Sequence, residues 1–259
     1  MSQKIDPISI AQTLLQKELF SFNSKTIGDL FELDEFQTAN VLNRMKKTGL
    51  VMQIERGKYL LLALSPEKVL SNPLYIGSHL VLPSYISFWS ALHYYGLTEQ
   101  SPRTVFVATT RRKKELTFRG THFKFVTLKP EAFFGYQREV LAELPVVVAD
   151  QSKAILDSLT LPEYAGGVAE VAKALQIAVR ENKIDNLTLI NYADRLDNAS
   201  LSSRLGYLLE TLGQFTSGLK ASKGPVKLDP QRSLEGPFNR HWQLYINIDQ
   251  DDLFPQGVF

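Results

Sequence analysis

The sequence contains no cysteine and no uninterrupted apolar stretch long enough to cross a bilayer. Without thiols there is no disulfide, no thiolate zinc site and no cysteine nucleophile. A membrane span needs roughly 18 consecutive apolar residues, and the opening MSQKIDPISI lacks the basic start and apolar core of a signal peptide. We therefore expect a cytoplasmic protein with no membrane partner, whose fold depends on packing.

Signatures of the common enzyme classes are also missing. The chain has no GxxxxGK phosphate loop, no HExxH and no GxSxG. Gly77-Ser78 is the dipeptide of a nucleotidyltransferase turn, but residues 79–98 contain no carboxylate to hold the metal that this chemistry needs. Asp150 and Lys153 are residue types found in metal-dependent nucleases, yet a capping Asp followed by a surface lysine explains them without catalysis. We expect no catalytic residue, no metal and no cofactor.

Charge is unevenly distributed along a chain whose net charge is only +2. Residues 103–138 carry nine Lys and Arg against two Glu, whereas residues 139–215 carry six against eleven acidic residues. The first of these segments includes four consecutive cations, Arg111, Arg112, Lys113 and Lys114. Such a run is commonly a solvated hairpin tip, but it also suits contact with DNA phosphates. Both interpretations stay open on the sequence alone.

The most informative stretch is residues 34–48, DEFQTANVLNRMKKT, which has the period of an amphipathic helix capped by Asp34. Winding it at about 100° per residue places one set of residues on the inner side. These are Val41, Leu42 and Met45, with Ala39. The opposite side carries Gln37, Asn40, Arg44 and Lys47.

These outward residues match the chemistry of DNA. Gln and Asn can pair bidentately with adenine, Arg with guanine, and Lys with phosphate. A surface helix of any protein also exposes such side chains. The neighbouring sequence therefore has to distinguish a reading helix from an ordinary surface helix.

The neighbouring sequence predicts a winged helix-turn-helix. Residues 8–20 and 26–31 have helical periods, with Thr26 as the cap of the second helix. After Gly49, residues 50–54 and 58–62 are strand-like and flank a turn. Three helices followed by a hairpin are the elements of this DNA-binding fold.

The phosphate backbone would be held by Lys46 together with Arg56 and Lys58 at the hairpin tip. Winged helices also serve as protein-interaction modules, and residues 1–62 carry eight Lys and Arg against seven Asp and Glu. The weak charge leaves an interaction module without operator binding as an alternative.

Beyond residue 65 the sequence mixes strands and helices. Residues 85–96, YISFWSALHYYG, predict a buried aromatic helix entered at Pro83-Ser84 and ended by Gly96. Strand-like segments follow at residues 104–109, 115–118, 122–128 and 145–149, and helical segments follow at 150–159, 166–179, 187–196 and 199–212. We predict an α+β protein with a winged helix-turn-helix DNA-binding domain in residues 1–65. A larger mixed α/β domain with a small sheet and several helices would occupy residues 66–259.

An ordered series of segments resembles the AbiEi antitoxins of type IV toxin–antitoxin and phage abortive-infection systems. Besides the N-terminal winged helix, the series comprises PSYISFWSALHYYGLTEQ (83–100), VVVADQSKAILDSL (146–159), AGGVAEVAKAL (165–175), RLGYLLETLG (204–213) and KLDP with GPFNRHWQLYIN (227–247). No single segment would suffice, but together they cover most of the chain.

This resemblance implies an antitoxin that represses its own operon by binding inverted repeats in double-stranded DNA. It also implies that residues 66–259 counteract a cognate nucleotidyltransferase toxin, without requiring a stable complex. Inverted repeats would seat two copies of the chain on one operator. Related proteins are transcriptional regulators of defence loci without antitoxin activity, and that role is a second expectation.

Overall fold

The computed structural model describes residues 6–62 and 66–254, and the structural statements below concern these residues. Helices occur together with three small sheets, so the chain is a mixed α and β protein, as predicted. It divides into two compact units, Met1–Leu82 with Val140–Pro145, and Pro83–Glu139 with Val146–Phe259. The predicted boundary near residue 65 lies outside the described residues, and residues 66–82 group with the N-terminal unit. No helix of the described chain is both long and apolar enough to cross a membrane.

The N-terminal unit is mainly helical. Its elements are α1 (Pro7–Gln16), β1 (Ser21–Asn23), α2 (Ser24–Phe31), α3 (Glu35–Lys47), β2 (Val51–Glu55), β3 (Lys58–Leu61), α4 (Pro66–Leu70) and α5 (Pro73–His79). β1 and α5 have no counterpart among the predicted elements. The prediction that Thr26 caps α2 is wrong, because Asn23 Oδ1 accepts the backbone N–H of Thr26 at 2.9 Å.

One hydrophobic core joins α1, α2 and α3 to a three-stranded antiparallel sheet in the order β1-β3-β2. The fully buried residues Ile10, Leu14, Ile27 and Met45 come from all three helices. Burying side chains of this size stabilises a fold by about 1.5–3 kcal/mol each. The core therefore fixes the three helices against the sheet.

The remaining chain forms a larger set of elements. These are β4 (Ser84–Ile86), α6 (Phe88–Tyr94), β5 (Thr104–Thr109), β6 (Leu116–Phe118), β7 (Thr121–Thr127), β8 (Tyr136–Leu141), β9 (Leu144–Ala149), α7 (Gln151–Thr160), α8 (Val168–Arg180), α9 (Asn186–Leu196), α10 (Ala199–Thr211), β10 (Val226–Lys227), β11 (Phe238–Asn239), β12 (Leu244–Tyr245) and α11 (Gln250–Leu253). Short 3₁₀ turns lie at Pro130–Ala132 and Pro162–Tyr164. Between residues 242 and 248 the chain forms only the two-residue strand β12.

A six-stranded mixed sheet in the order β6-β7-β5-β4-β9-β8 organises the C-terminal unit. β4 runs antiparallel to β5 and parallel to β9, while β5 runs parallel to β7. The helix predicted from residue 85 is wrong in its first turn, since Tyr85 and Ile86 lie in β4 and α6 starts at Phe88. All three side chains are fully buried. A run that is buried on every side has no apolar period by which to separate strand from helix.

Candidate nucleic-acid interface

α2 and α3 are joined by a tight turn. α2 ends at Glu32, which has a left-handed φ of 51°, and the backbone N–H of Leu33 then donates to the carbonyl of Gly28 at 2.9 Å. A Cβ on Gly28 would lie 3.3 Å from the carbonyl oxygen of Leu33, so a larger residue would crowd the turn. The glycine allows α2 and α3 to be separated by only three residues, Glu32, Leu33 and Asp34.

Asp34 caps α3 with a reciprocal pair of hydrogen bonds. Its Oδ1 accepts the backbone N–H of Gln37 at 2.7 Å, and the Oε1 of Gln37 accepts the backbone N–H of Asp34 at 3.1 Å. The cap by Asp34 was predicted from the sequence. The bond from the N–H of Asp34 was not, and it engages Gln37, a residue predicted to contact bases. A bidentate pair with adenine would need the same Oε1 to accept from the base. Gln37 would therefore have to share this oxygen between its capping box and the base, which restricts the orientation of its amide.

The inner face of α3 consists of Thr38, Val41, Leu42 and Met45. The prediction that Ala39 lies on this face is wrong, because Ala39 is exposed and Thr38, 5% exposed, takes the inward position. The spacing 38, 41, 42, 45 is the i, i+3, i+4, i+7 pattern of one helix face. A polar threonine at the first position hides this pattern from a search for apolar residues.

The outer face of α3 is centred on Phe36, Asn40, Asn43 and Lys47, all of which are exposed. Arg44 and Lys46 flank this line and are exposed as well. The four residues predicted to face outward, Gln37, Asn40, Arg44 and Lys47, are all exposed, and so is Lys46. Phe36 and Asn43 are additional members that the choice of residues by chemical type leaves out.

The β2–β3 hairpin ends in a two-residue turn, Arg56-Gly57, in which Gly57 has a φ of 70°. Arg56 is exposed at this tip. Lys58 is only half-exposed, and its Nζ donates to the carbonyl of Leu80 at 2.6 Å. Arg56 is therefore the tip residue best placed for an external anion, while Lys58 already has a partner within its own unit.

A groove of about 660 Å³ runs along the side of α3 that faces α2. Its wall includes the exposed ends of Lys25, Asp29 and Glu35, and its floor includes Leu42 and Tyr59. The groove carries charges of both signs, so it has no clear preference for a polyanion.

The four-cation segment connects β5 to β6 in the C-terminal unit. β7 lies between these two strands in the sheet, so the segment is a crossover connection. It is not the tip of a hairpin, which was one of the two interpretations of this charge run. Arg111, Arg112 and Lys114 are exposed, whereas Lys113 Nζ lies 5.1 Å from the ring centroid of Phe125. Three exposed cations therefore face solvent beside one that packs on the sheet.

Glu115 offsets part of this charge. Its Oε2 lies 3.0 Å from His122 Nε2, and its Oε1 is paired with Lys124. Glu115 is thus engaged by His122 and Lys124, while Arg111, Arg112 and Lys114 stay exposed, as do Arg119 and Lys129 further along the chain.

A buried polar cluster lies under the sheet of the C-terminal unit. Lys153 is fully buried, so the prediction of a surface lysine is wrong. Its Nζ pairs with Asp157 and donates to Tyr85 Oη at 3.0 Å, and Ser87 Oγ donates to Asp157 Oδ2 at 2.7 Å. Burial and the nearby Asp157 carboxylate raise the pKa of Tyr85 well above its usual value.

Asp150, at the start of α7, borders this cluster. Its Oδ1 accepts the backbone N–H of Lys153 at 2.8 Å, as predicted for a cap, and its Oδ2 accepts Tyr192 Oη at 3.0 Å. Burial raises the pKa of this carboxyl above its usual value. In residues 6–62 and 66–254 no three His, Asp or Glu side chains gather as a metal site would require.

Comparison with known proteins gives a likeness of fold. No protein-family model matches the chain, and no curated protein matches it. The chain is similar to a crystal structure of the RV2827C protein from Mycobacterium tuberculosis, with a TM-score of 0.55 and 13% sequence identity over 93% of this chain and 92% of that chain. At this identity the similarity concerns the fold alone.

Proposed function

We propose that the N-terminal unit is a winged helix-turn-helix domain that binds double-stranded DNA, with α3 in the major groove. The observation that carries this proposal is the composition of the outer face of α3. Residues 36–48 contain no acidic side chain, and the exposed positions include Asn40, Asn43, Arg44, Lys46 and Lys47. A face of amides and cations complements both base edges and phosphates.

The individual roles follow from side-chain chemistry. Asn40 pairs with adenine and Arg44 with guanine, and each such bidentate pair contributes about 1–3 kcal/mol of discrimination between bases. Lys46, Lys47 and Arg56 supply contacts to phosphate, with a smaller share for Lys58. Gln37 acts mainly as part of the cap that sets the start of α3.

A band-shift experiment tests this assignment. The probe is the DNA upstream of this gene, and Arg44→Ala with Lys47→Ala is expected to weaken specific binding about tenfold or more at fixed salt, because about 1.4 kcal/mol corresponds to that factor. Lys17→Ala with Lys223→Ala removes the same charge at two other exposed sites and is expected to bind nearly as the parent does. Unchanged affinity in the first variant would show that α3 does not read DNA.

We also propose, from the sequence resemblance, that the protein is a cytoplasmic AbiEi-type antitoxin that represses its own operon. Two copies on inverted repeats would repress transcription, and the C-terminal unit would counteract a nucleotidyltransferase toxin. Co-expression with a neighbouring nucleotidyltransferase gene is expected to relieve the growth arrest which that gene causes alone. If the arrest persists while the operator is still bound, the protein is a regulator without antitoxin activity.

A further inference from the structure

Phe36 is the most exposed large apolar side chain of the described chain, with 76% of its surface open. It occupies the second position of α3, immediately after Glu35. Its ring packs in no core and stacks on no other aromatic ring of residues 6–62 and 66–254. The capping box beside it involves Asp34 and Gln37 only. Phe36 thus contributes neither to the core nor to the cap.

The position of Phe36 is nevertheless central to the outer face of α3. Asn40, Asn43 and Lys47 follow it at i+4, i+7 and i+11, which is a single line along a helix. The N-terminal residues of a reading helix are those that contact base edges. Phe36 and Asn40 are the first two side chains of this outer line.

We propose that Phe36 contacts the 5-methyl group of a thymine in the major groove. This inference rests on the proposed DNA-binding function and adds one specificity-determining residue to it. The thymine methyl is the apolar group that base pairs present in the major groove, and apolar side chains recognise it by contact. Covering it removes apolar surface of both partners from water, which favours association.

The spacing of Phe36 and Asn40 also restricts the site. Four residues rise about 6 Å along a helix, and successive bases of one strand are about 3.4 Å apart. The two side chains therefore reach base pairs no more than two steps apart. Because Asn suits adenine, each half-site contains a thymine within two base pairs of the adenine that Asn40 reads.

The test uses the full chain and DNA selected from a random duplex library. After the preferred site is found, the thymidine within two base pairs of the adenine that Asn40 reads is replaced by deoxyuridine. The two nucleosides differ only in the methyl group. We expect the parent protein to bind the substituted site about fourfold more weakly, the effect of leaving one such group unburied. Phe36→Ala is expected to bind both sites equally. Ile8→Ala, at an apolar side chain in α1 that is 54% exposed, serves as the control and keeps the parent's sensitivity.

The outcomes separate the inference from the function beneath it. If the parent selects no sequence, the DNA-binding proposal fails, and the role of Phe36 fails with it. If the parent selects a site but binds deoxyuridine and thymine equally, or if Phe36→Ala stays sensitive to the methyl group, only the role of Phe36 is overturned. A loss of self-association in Phe36→Ala, seen by light scattering, would instead make this residue a protein contact.

Discussion

Lys153 shows how one buried charge is accommodated at the scale of a residue. Its ammonium group lies in a region without solvent, where an unpaired charge costs several kcal/mol. Asp157, one turn along α7, supplies the opposite charge, and its carboxylate also accepts bonds from Tyr85 and Ser87. The four side chains connect β4 and the start of α6 to α7. Their polar atoms are satisfied by one another, so the cluster fixes the register of α7 on the sheet.

Removal of one partner from this cluster is expected to be more damaging than removal of both. Asp157→Ala leaves a buried ammonium without its counter-charge and is expected to lower the free energy of unfolding by about 3–5 kcal/mol. Lys153→Met combined with Asp157→Leu replaces the pair by apolar groups and is expected to lower it less. Urea denaturation followed by circular dichroism measures both. Equal losses in the two variants would mean that the ion pair is not what stabilises this region.

Some features of single residues are visible in the sequence and others are not. Asp34 and Asp150 are predicted as caps because an acidic side chain precedes a periodic apolar run. The second role of Gln37 also has a signal, since Asp34 and Gln37 have the three-residue spacing of a capping box. The burial of Lys153 has no clear signal: its pairing with Asp157 at i+4 is also typical of an exposed helix face, and its other partner, Tyr85, is 68 residues away in the chain.

At the scale of the element, α3 depends on its first turn. A helix leaves its first backbone N–H groups without intrahelical partners, and the Asp34–Gln37 pair satisfies two N–H groups at this end. The same turn carries Phe36. The residues that stabilise the start of α3 and the first residue of its proposed DNA-contacting face therefore lie in the same four-residue segment, 34–37.

Loss of this cap is expected to destabilise the N-terminal unit. Asp34→Ala removes the acceptor for the N–H of Gln37 and is expected to lower the free energy of unfolding by about 0.5–2 kcal/mol. Asp34→Asn keeps a good capping acceptor and is expected to stay within a few tenths of the parent. Thermal and urea unfolding of the three proteins check this order. A similar loss in both variants would point to the charge of Asp34 and away from its hydrogen bond.

Elements with a clear period and a cap follow from the sequence, as α3, α7 and α10 show. β4 does not, because all three of its residues are buried and the segment looks like the helix that follows it. β1 does not either, since a strand of three residues exists only through its pairing with β3. Tertiary pairing decides such short segments, and local sequence carries little of that information.

At the scale of the whole molecule, two positively charged sites occur in separate units. The sequence around α3, residues 1–62, carries nearly equal numbers of positive and negative charges. Residues 111–114, in contrast, lie in the basic part of the chain. If both contact one duplex, α3 provides sequence preference and the crossover between β5 and β6 provides much of the affinity that depends on salt.

Neutralising the exposed cations of the crossover tests this division of roles. Arg111→Gln, Arg112→Gln and Lys114→Gln together are expected to make the logarithmic salt dependence of binding shallower by about 0.9 for each phosphate that the variant no longer neutralises. The selected sequence is expected to stay the same. Lys113 is left in place because it packs on Phe125.

A matched control for this variant is Lys17→Gln with Lys220→Gln and Lys223→Gln, which changes the net charge equally at exposed positions elsewhere. If the crossover variant shows the same salt dependence of binding as the parent, residues 111–114 do not contact DNA and form a solvated loop. A changed sequence preference would show that the crossover reads bases.

The small segment Val140–Pro145 gives the molecule a definite order of assembly. It belongs to the N-terminal unit, where the carbonyl of Leu141 accepts Asn72 Nδ2 at 3.2 Å and Glu143 pairs with Lys68. A ribosome that has finished Leu82 must still add all residues up to Pro145 before this unit has its last piece. At roughly 5–20 residues per second, that interval lasts roughly 3–13 s. A nascent chain therefore presents α3 several seconds before the unit that carries it is complete.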